Sequence, residues 1–381
     1  MKRRTKIGFY YVWGKSWMGG VNYARNLLRA LNMLDDSDKP FIHVYCRDTE
    51  SYIDLKAHTQ YPYMDVVIID DEAFYKKKIR DLVKAICGFN ASRKLDMFKV
   101  LPEDEMVFPY GFGSAKEKLV FWRPDFQEKY LPQYFSAREI KRRDLAIRSI
   151  AGRGIPIVFS SHDCEKDFRR FYPEFSNKTF VVHFAVSQPD FSQVNLEEVK
   201  ARYRIKGRYL LCANQFWKHK NHLFLFKAFY KALRQGLDMQ LVCTGTFTDY
   251  CNPDYIEEIK HFIADNQLSE KILLLGLIDA GELYGLMKHS YAVVQPSLFE
   301  GWNTTVEDCK ALNKFVFLSN LPVHQEQAKA NVCFFDPHDE DDLAAKLLRV
   351  KPVEEPYDYS QNLREFGENF LKVIRYVAKN E

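Results

Sequence analysis

Residues 291–320 read YAVVQPSLFEGWNTTVEDCKALNKFVFLSN. The apolar run 291–294 suits a short strand, a polar loop follows, residues 304–312 suit a helix, and 315–319 suit a second apolar strand. Strand, loop, helix and strand in that order make a βαβ crossover and imply a parallel sheet. The loop sits where a strand's carboxyl end meets a helix's amino end, the usual ligand position in open α/β sheets. Free backbone N–H groups of Asn303, Thr304, Thr305 and Val306 at that helix start would favour a phosphate. Glu300 and Asp308 bracket the same turn, with seven residues between them. Carboxylates repel a phosphate, and their natural partners are sugar hydroxyls. Sugar hydroxyls beside a diphosphate describe a nucleotide-sugar. The competing reading is an ordinary helix start, whose first-turn acids favour the macrodipole.

Working outward, residues 209–213 read as another strand. The segment 214–222 that follows it, NQFWKHKNH, enters an amphipathic helix over 223–236. Lys218 and Lys220 stand just before that helix, where cation and dipole together suit a diphosphate. Further strands are expected at 239–245, 271–277 and 332–335. Gly245 and Gly276 end two of them, where backbone can come close to a ligand. In the first half, strands are expected at 6–13, 41–46, 64–69, 106–108, 118–122, 155–160 and 180–186, with helices between several of them, an α/β alternation. A glycine loop, 14–20, follows the first strand and precedes a helix over 21–34. Gly19 and Gly20 are either a phosphate approach or merely a tight turn. Asp125 closes a strand's carboxyl end and reads either as a cleft residue or as a turn former after Pro124. Ser161 is an N-cap candidate, and His162 after it is either a cleft contact or a plain first-turn residue.

The run Pro296-Ser297-Leu298-Phe299-Glu300-Gly301 followed by Asp308 resembles the Glu-x7-Glu motif of retaining family-4 glycosyltransferases, which have the GT-B fold. Asp308 stands where most members carry the second Glu, and Glu307 is one residue out of register. The segment 214–222 is similar to the family's phosphate clamp: Lys220 matches its Lys, while Gln215 occupies the Arg position. Gly19 and Gly20 match the family's cleft glycines near the donor phosphates. Of the family's His-Asp pair only Asp125 carries over, because Pro124 holds the His position. The resemblance implies that Glu300 grips the donor sugar and that Lys220 with Gln215 holds the diphosphate. It also implies that the amides of Asn303, Thr304 and Thr305 hold sugar and phosphates, that Asp308 takes the ribose hydroxyls, and that the backbone at Leu277 and Ile278 reads the base. The implied reaction moves a sugar from a UDP-, GDP- or ADP-sugar to a hydroxyl on a saccharide or lipid-linked acceptor, with retention, no cofactor and no metal. Two other classes stay open: a GT-B sugar-nucleotide epimerase, and a non-catalytic two-domain sugar-binding protein.

At 381 residues the chain exceeds one comfortable core. The expected division is a domain at 1–187 and a domain at 188–381, each Rossmann-like, with a last helix over 362–379 crossing back to the first. The composition, 46% hydrophobic and 28% charged, is that of a globular protein, and a net charge of +4 does not argue for nucleic acid. Eight scattered cysteines without a Cys-x-x-Cys pair suit buried thiols in a reducing cytoplasm. No run approaches the ~20 apolar residues of a membrane span. Two basic stretches, 74–99 and 138–153, are either solvated faces or a seat on anionic lipid at the inner face of the plasma membrane.

Overall fold

The structure is a computed structural model that describes residues 3–12, 18–69, 100–109, 118–249 and 251–379. Its frame is two parallel sheets. In the first, β1 (Lys6–Tyr10), β2 (Phe41–Cys46), β3 (Met64–Ile68) and β4 (Met106–Phe108) run in the order β3-β2-β1-β4. A bridge between Val107 and Leu119 carries the pairing onward to β5 (Phe121–Arg123), β6 (Ile157–Phe159) and β7 (Thr179–Val181). In the second, β8 (Tyr209–Ala213), β9 (Gln240–Thr244), β10 (Ile272–Gly276), β11 (Ala292–Gln295), β12 (Val316–Ser319) and β13 (Val332–Phe335) run in the order β10-β9-β8-β11-β12-β13. Both sheets reverse direction between their first and fourth strands, so the crevice outside β8 and β11 is a topological switch point. Helices cover both faces, which is why strands such as Leu210–Cys212 and Val293–Val294 are apolar on successive residues rather than alternating.

The helices fall where apolar spacing and capping residues put them. Ser161 caps the helix His162–Phe171, its hydroxyl accepting from the Cys164 amide. The expected strand over 180–186 is only three residues long, and the chain then runs without regular structure to Asn195. The helix expected at 21–34 starts earlier, as Met18–Asn32. Gly19 and Gly20 therefore belong to its first turn and not to a loop; residues 13–17 of the expected glycine loop lie outside the described residues. The basic stretch 74–99 also lies outside them. The second basic stretch is the helix Ala137–Ala151, where Arg143 pairs with Glu128 and Glu139, and Arg148 with Asp144 and Glu174. Arg142 also lies 3.7 Å from Glu139, so three of its charges are paired within the chain. Among the described residues no helix is long and apolar enough to cross a membrane.

The last helix, Ser360–Lys379, leaves the second sheet and packs on the first. Its Phe366, Phe370, Val373 and Ile374 share one buried cluster with Leu27, Leu28 and Leu31 of the helix Met18–Asn32 and with Phe108 of β4. The two helices touch at Gly367, where a Cβ would lie 2.5 Å from the Ala30 carbonyl oxygen. Only glycine allows that approach.

Candidate active site

The carboxyl ends of β8 and β11 launch the two loops that build the site. After β8 the chain turns through a short 3-10 segment, Lys218–Lys220, into the helix His222–Arg234. After β11 it loops through Ser297 and Glu300 into the helix Thr304–Ala311. Two buried amides tie the loops at their roots: Asn214 Nδ2 donates to Gln295 Oε1 at 2.6 Å, and Gln295 Nε2 returns a bond to Asn214 Oδ1 at 3.0 Å. Higher up, the Leu298 amide donates to the His219 carbonyl at 2.8 Å.

This scaffold brings Lys220 and Glu300 together. Lys220 Nζ lies 2.6 Å from Glu300 Oε1, with only 15% and 9% of the side chains exposed. The Ser297 hydroxyl donates to the same oxygen at 2.6 Å. Burial pushes the Glu300 carboxyl up, but the Lys220 ammonium outweighs it, so Glu300 titrates below the ordinary carboxylate range. Lys218 turns the other way: its amide donates to Asp249 and its ammonium to Glu258. Only one lysine of the pair faces the site. His219 and His324 are held neutral, pushed down to about 3 and about 4, first by burial. His324 Nδ1–H donates to the Ser319 carbonyl at 2.8 Å and leaves Nε2 toward Asn303 Nδ2 at 3.4 Å.

The helix start is more selective than its sequence suggests. The Asn303 amide donates to Gln327 Oε1, and the Val306 amide donates to the Asn303 side chain that caps the helix. Among the hydrogen bonds of the described residues none engages the amides of Thr304 and Thr305, so two of the four expected donors remain for a ligand. The Thr305 hydroxyl is committed to the Ala213 carbonyl. The adjacent acids divide the work: Glu307 is locked by Lys310, Gln327 and Tyr359, whereas Asp308 accepts from the Tyr284 hydroxyl at 2.6 Å. Burial raises the Asp308 carboxyl to about 7. Gln215 makes no side-chain hydrogen bond among the described residues, and Gly245 packs directly beneath it: a Cβ there would lie 2.0 Å from the Asn214 carbonyl oxygen. Leu277 is 77% exposed just past Gly276, and Ile278 behind it is half-buried.

The first sheet meets this loop cluster directly. Gly301 abuts the Pro124–Asp125 backbone, where a Cβ would lie 2.1 Å from the Pro124 carbonyl oxygen. Asp125 therefore stands beside Glu300 in the chain fold, but its carboxylate accepts from the Gln127 amide at 3.1 Å, as a turn former does. Tyr130 stacks on Phe299 at 5.2 Å, and Trp302 Nε1–H donates to the Phe184 carbonyl at 3.0 Å. The ring of His183 lies parallel to Trp302 at 4.3 Å. His162 does reach the crevice, with its amide and that of Asp163 both donating to Glu326. Ser297, Trp302, His183, Tyr284 and Glu326 escaped the sequence reading. Ser297 and Trp302 lie inside the quoted stretch and could have been found by their nearness to Glu300; the others meet the site only through long-range folding.

Comparison with known proteins agrees with this fold. Residues 196–369 match the family model described as Glycosyl transferases group 1. The O-antigen chain mannosyltransferase RfbU of Salmonella typhimurium is 24% identical over 198 residues, covering 52% of this chain and about half, 51%, of that protein. Among solved structures, a glycosyltransferase from Rickettsia africae superposes with a TM-score of 0.64 at 15% identity, over 100% of both chains. Alr3699/HepE of Anabaena, solved with UDP and glucose, gives 0.61 at 14% identity over 99% and 98% of the two chains. Residues 196–369 thus resemble a group 1 glycosyltransferase domain, and the chain as a whole has the α/β GT-B fold.

Proposed function

We propose that the protein transfers a hexose from a nucleotide-sugar to a hydroxyl of a saccharide or lipid-linked acceptor, retaining the anomeric configuration and needing no metal or cofactor. The observation that carries this reading is the buried Lys220–Glu300 pair beside the free amides of Thr304 and Thr305. The four groups supply what a nucleotide-sugar needs at one place: a cation and two N–H donors for the diphosphate, and a carboxylate for sugar hydroxyls. Without donor, Lys220 and Glu300 neutralise each other. A diphosphate recruits Lys220 and frees Glu300 for the sugar. Gln215 adds a neutral donor where the related enzymes carry Arg, and Asp308 receives the ribose with Leu277 and Ile278 facing the base. Gly19 and Gly20, in the first turn of their helix, approach the phosphates from the other sheet. Attack comes from the face the leaving diphosphate vacates: the acceptor oxygen bonds the anomeric carbon, the sugar–phosphate bond breaks, and a phosphate oxygen takes the acceptor proton. Asp125 and His162 line the acceptor side. The protein works in the cytoplasm, at the inner face of the membrane when its acceptor is lipid-linked.

A thermal-shift panel of UDP-, GDP- and ADP-sugars, including UDP-glucose and mannose donors, identifies the donor, since a ligand of the native state raises the melting temperature by mass action. Transfer is then followed with and without acceptor. Conversion of the nucleotide-sugar without acceptor would mark an epimerase, and binding without turnover a sugar-binding protein. Chelator does not lower the transfer rate. Glu300→Ala removes transfer; near-normal transfer by that variant sinks the assignment.

A further inference from the structure

A second cluster of ligating side chains lies against the loop that carries the donor groups, where His183 stacks on Trp302. Nitrogens of His162 and His183 and an oxygen of Glu326 all lie within 4.8 Å of one another. His162 opens the helix His162–Phe171, His183 follows β7, and Glu326 sits on the helix Pro322–Gln327 beyond β12. Two ligands therefore come from the first sheet's half and one from the second's. We propose that His162, His183 and Glu326 form a zinc-class metal site whose occupation clamps the two halves of the crevice together.

Two imidazoles and one carboxylate suit Zn²⁺ or its neighbours Ni²⁺ and Co²⁺, while Mg²⁺ and Ca²⁺ prefer all-oxygen shells. Three protein ligands leave a fourth position for water. Tetrahedral zinc at ~2.1 Å from each ligand sets its ligands ~3.4 Å apart. His183 Nε2 and Glu326 Oε1 are already 2.7 Å apart, so they spread slightly as the metal replaces the proton shared between them. His162 closes the remaining distance. Its side chain is 60% exposed and already meets the His183 ring edge-on at 5.5 Å, and among the described residues its one ion pair is a long contact of 3.8 Å from Nδ1 to Glu165, so a small rotation brings it inward. The other two ligands are held: the Trp302 stack fixes the His183 ring, and the Asp163 amide retains Glu326 Oε2 at 3.1 Å. Such outer partners orient ligands and raise affinity. Trp302 lies two residues past Glu300, so an ion at this cluster fastens the loop that carries the donor groups.

Metal-stripped protein titrated with zinc sulfate by calorimetry is expected to take up one equivalent and to melt higher, with magnesium chloride giving neither effect. His162→Ala, His183→Ala and Glu326→Gln each lower zinc affinity at least tenfold, in line with the loss of one ligand. His162→Ala changes an exposed side chain, so its folding is not in question. No uptake by the wild type at 100-fold molar excess overturns the site, as does undiminished affinity in His162→Ala and His183→Ala, which would place the zinc elsewhere. The clamp has its own arm, which rests on the transferase reading: excess zinc slows turnover of the wild type and not of His162→Ala, each compared with its own zinc-free rate. Zinc uptake lost in the variants but without effect on turnover overturns the clamp and leaves the site. Absence of any turnover fails the transferase reading, and the calorimetry is unaffected by that outcome.

Discussion

Replacing Lys220 by alanine tests the core of the site through stability as well as activity. Lys220 and Glu300 form one pair at 2.6 Å with little exposure on either side chain. Removing one partner of a buried pair leaves an uncompensated charge and costs about 3–5 kcal/mol. Ser297 still donates to Glu300 in the variant, which puts the expected loss at the lower end, about 3 kcal/mol. The pH dependence has a definite sign. In the wild type Glu300 titrates below its ordinary 4.5, so its contribution is present above that value and lost as pH falls below it. Without Lys220, burial dominates and Glu300 titrates above 4.5. The variant then loses stability as pH climbs, and the gap between the two proteins is widest at neutral pH and narrows toward pH 4. Urea unfolding followed by tryptophan fluorescence at pH 7.5 and pH 4.5 measures both effects. The double variant Lys220→Ala, Glu300→Gln removes the stranded charge and recovers most of the loss. A coupling below about 0.5 kcal/mol in that cycle, or a gap that does not change with pH, refutes the pair as described.

Asp308→Asn probes the neighbouring acid. Its carboxyl is raised to about 7 from 3.8, so between those values the folded chain keeps a proton that the unfolded chain has released, and stability falls as pH rises through that window. The variant is expected to gain on the wild type between pH 5 and pH 8 in urea unfolding; a wild type that gains instead contradicts the assignment. Gly301→Ala places a methyl 2.1 Å from the Pro124 carbonyl oxygen, where backbone cannot step aside. The halves should part: X-ray scattering reports a larger radius of gyration, and turnover falls at least tenfold while nucleotide binding persists. An unchanged radius and rate would mean that the loop relaxes locally.

Most strands were legible because parallel strands covered on both faces are unbroken apolar runs, as at residues 106–108 and 209–213. Lys220 and Glu300 were legible for a different reason: each follows a strand and precedes a helix, so local order fixes their placement near one crevice. What could not be read was competition among polar groups. Gln327 and the Asn303 side chain take two of the four amides at the helix start, and only tertiary contact brings Gln327 there. The same holds for Lys218, drawn off by Glu258; Gly19 and Gly20 differ only because the helix begins at Met18 and takes them into its first turn. Edge elements fared worst. β7 is shorter than its apolar run: the Val182 amide still donates to Phe159 at the end of β6, and Ala185 beyond it buries against the first core outside any strand.

The crossing of the helix Ser360–Lys379 carries a consequence for how the chain is made. Phe366, Phe370, Val373 and Ile374 fill the core that β1, β4 and the helix Met18–Asn32 leave open. Synthesis delivers the first sheet's strands early, yet the part of their core that Phe366, Phe370, Val373 and Ile374 fill is completed only once residue 374 has emerged. Residues 191–350 hold the two clusters that cover their own sheet and can close before that helix exists. The order of birth and the order of completion are therefore reversed: the earlier half matures last, and during translation it is the half that needs shielding from its neighbours.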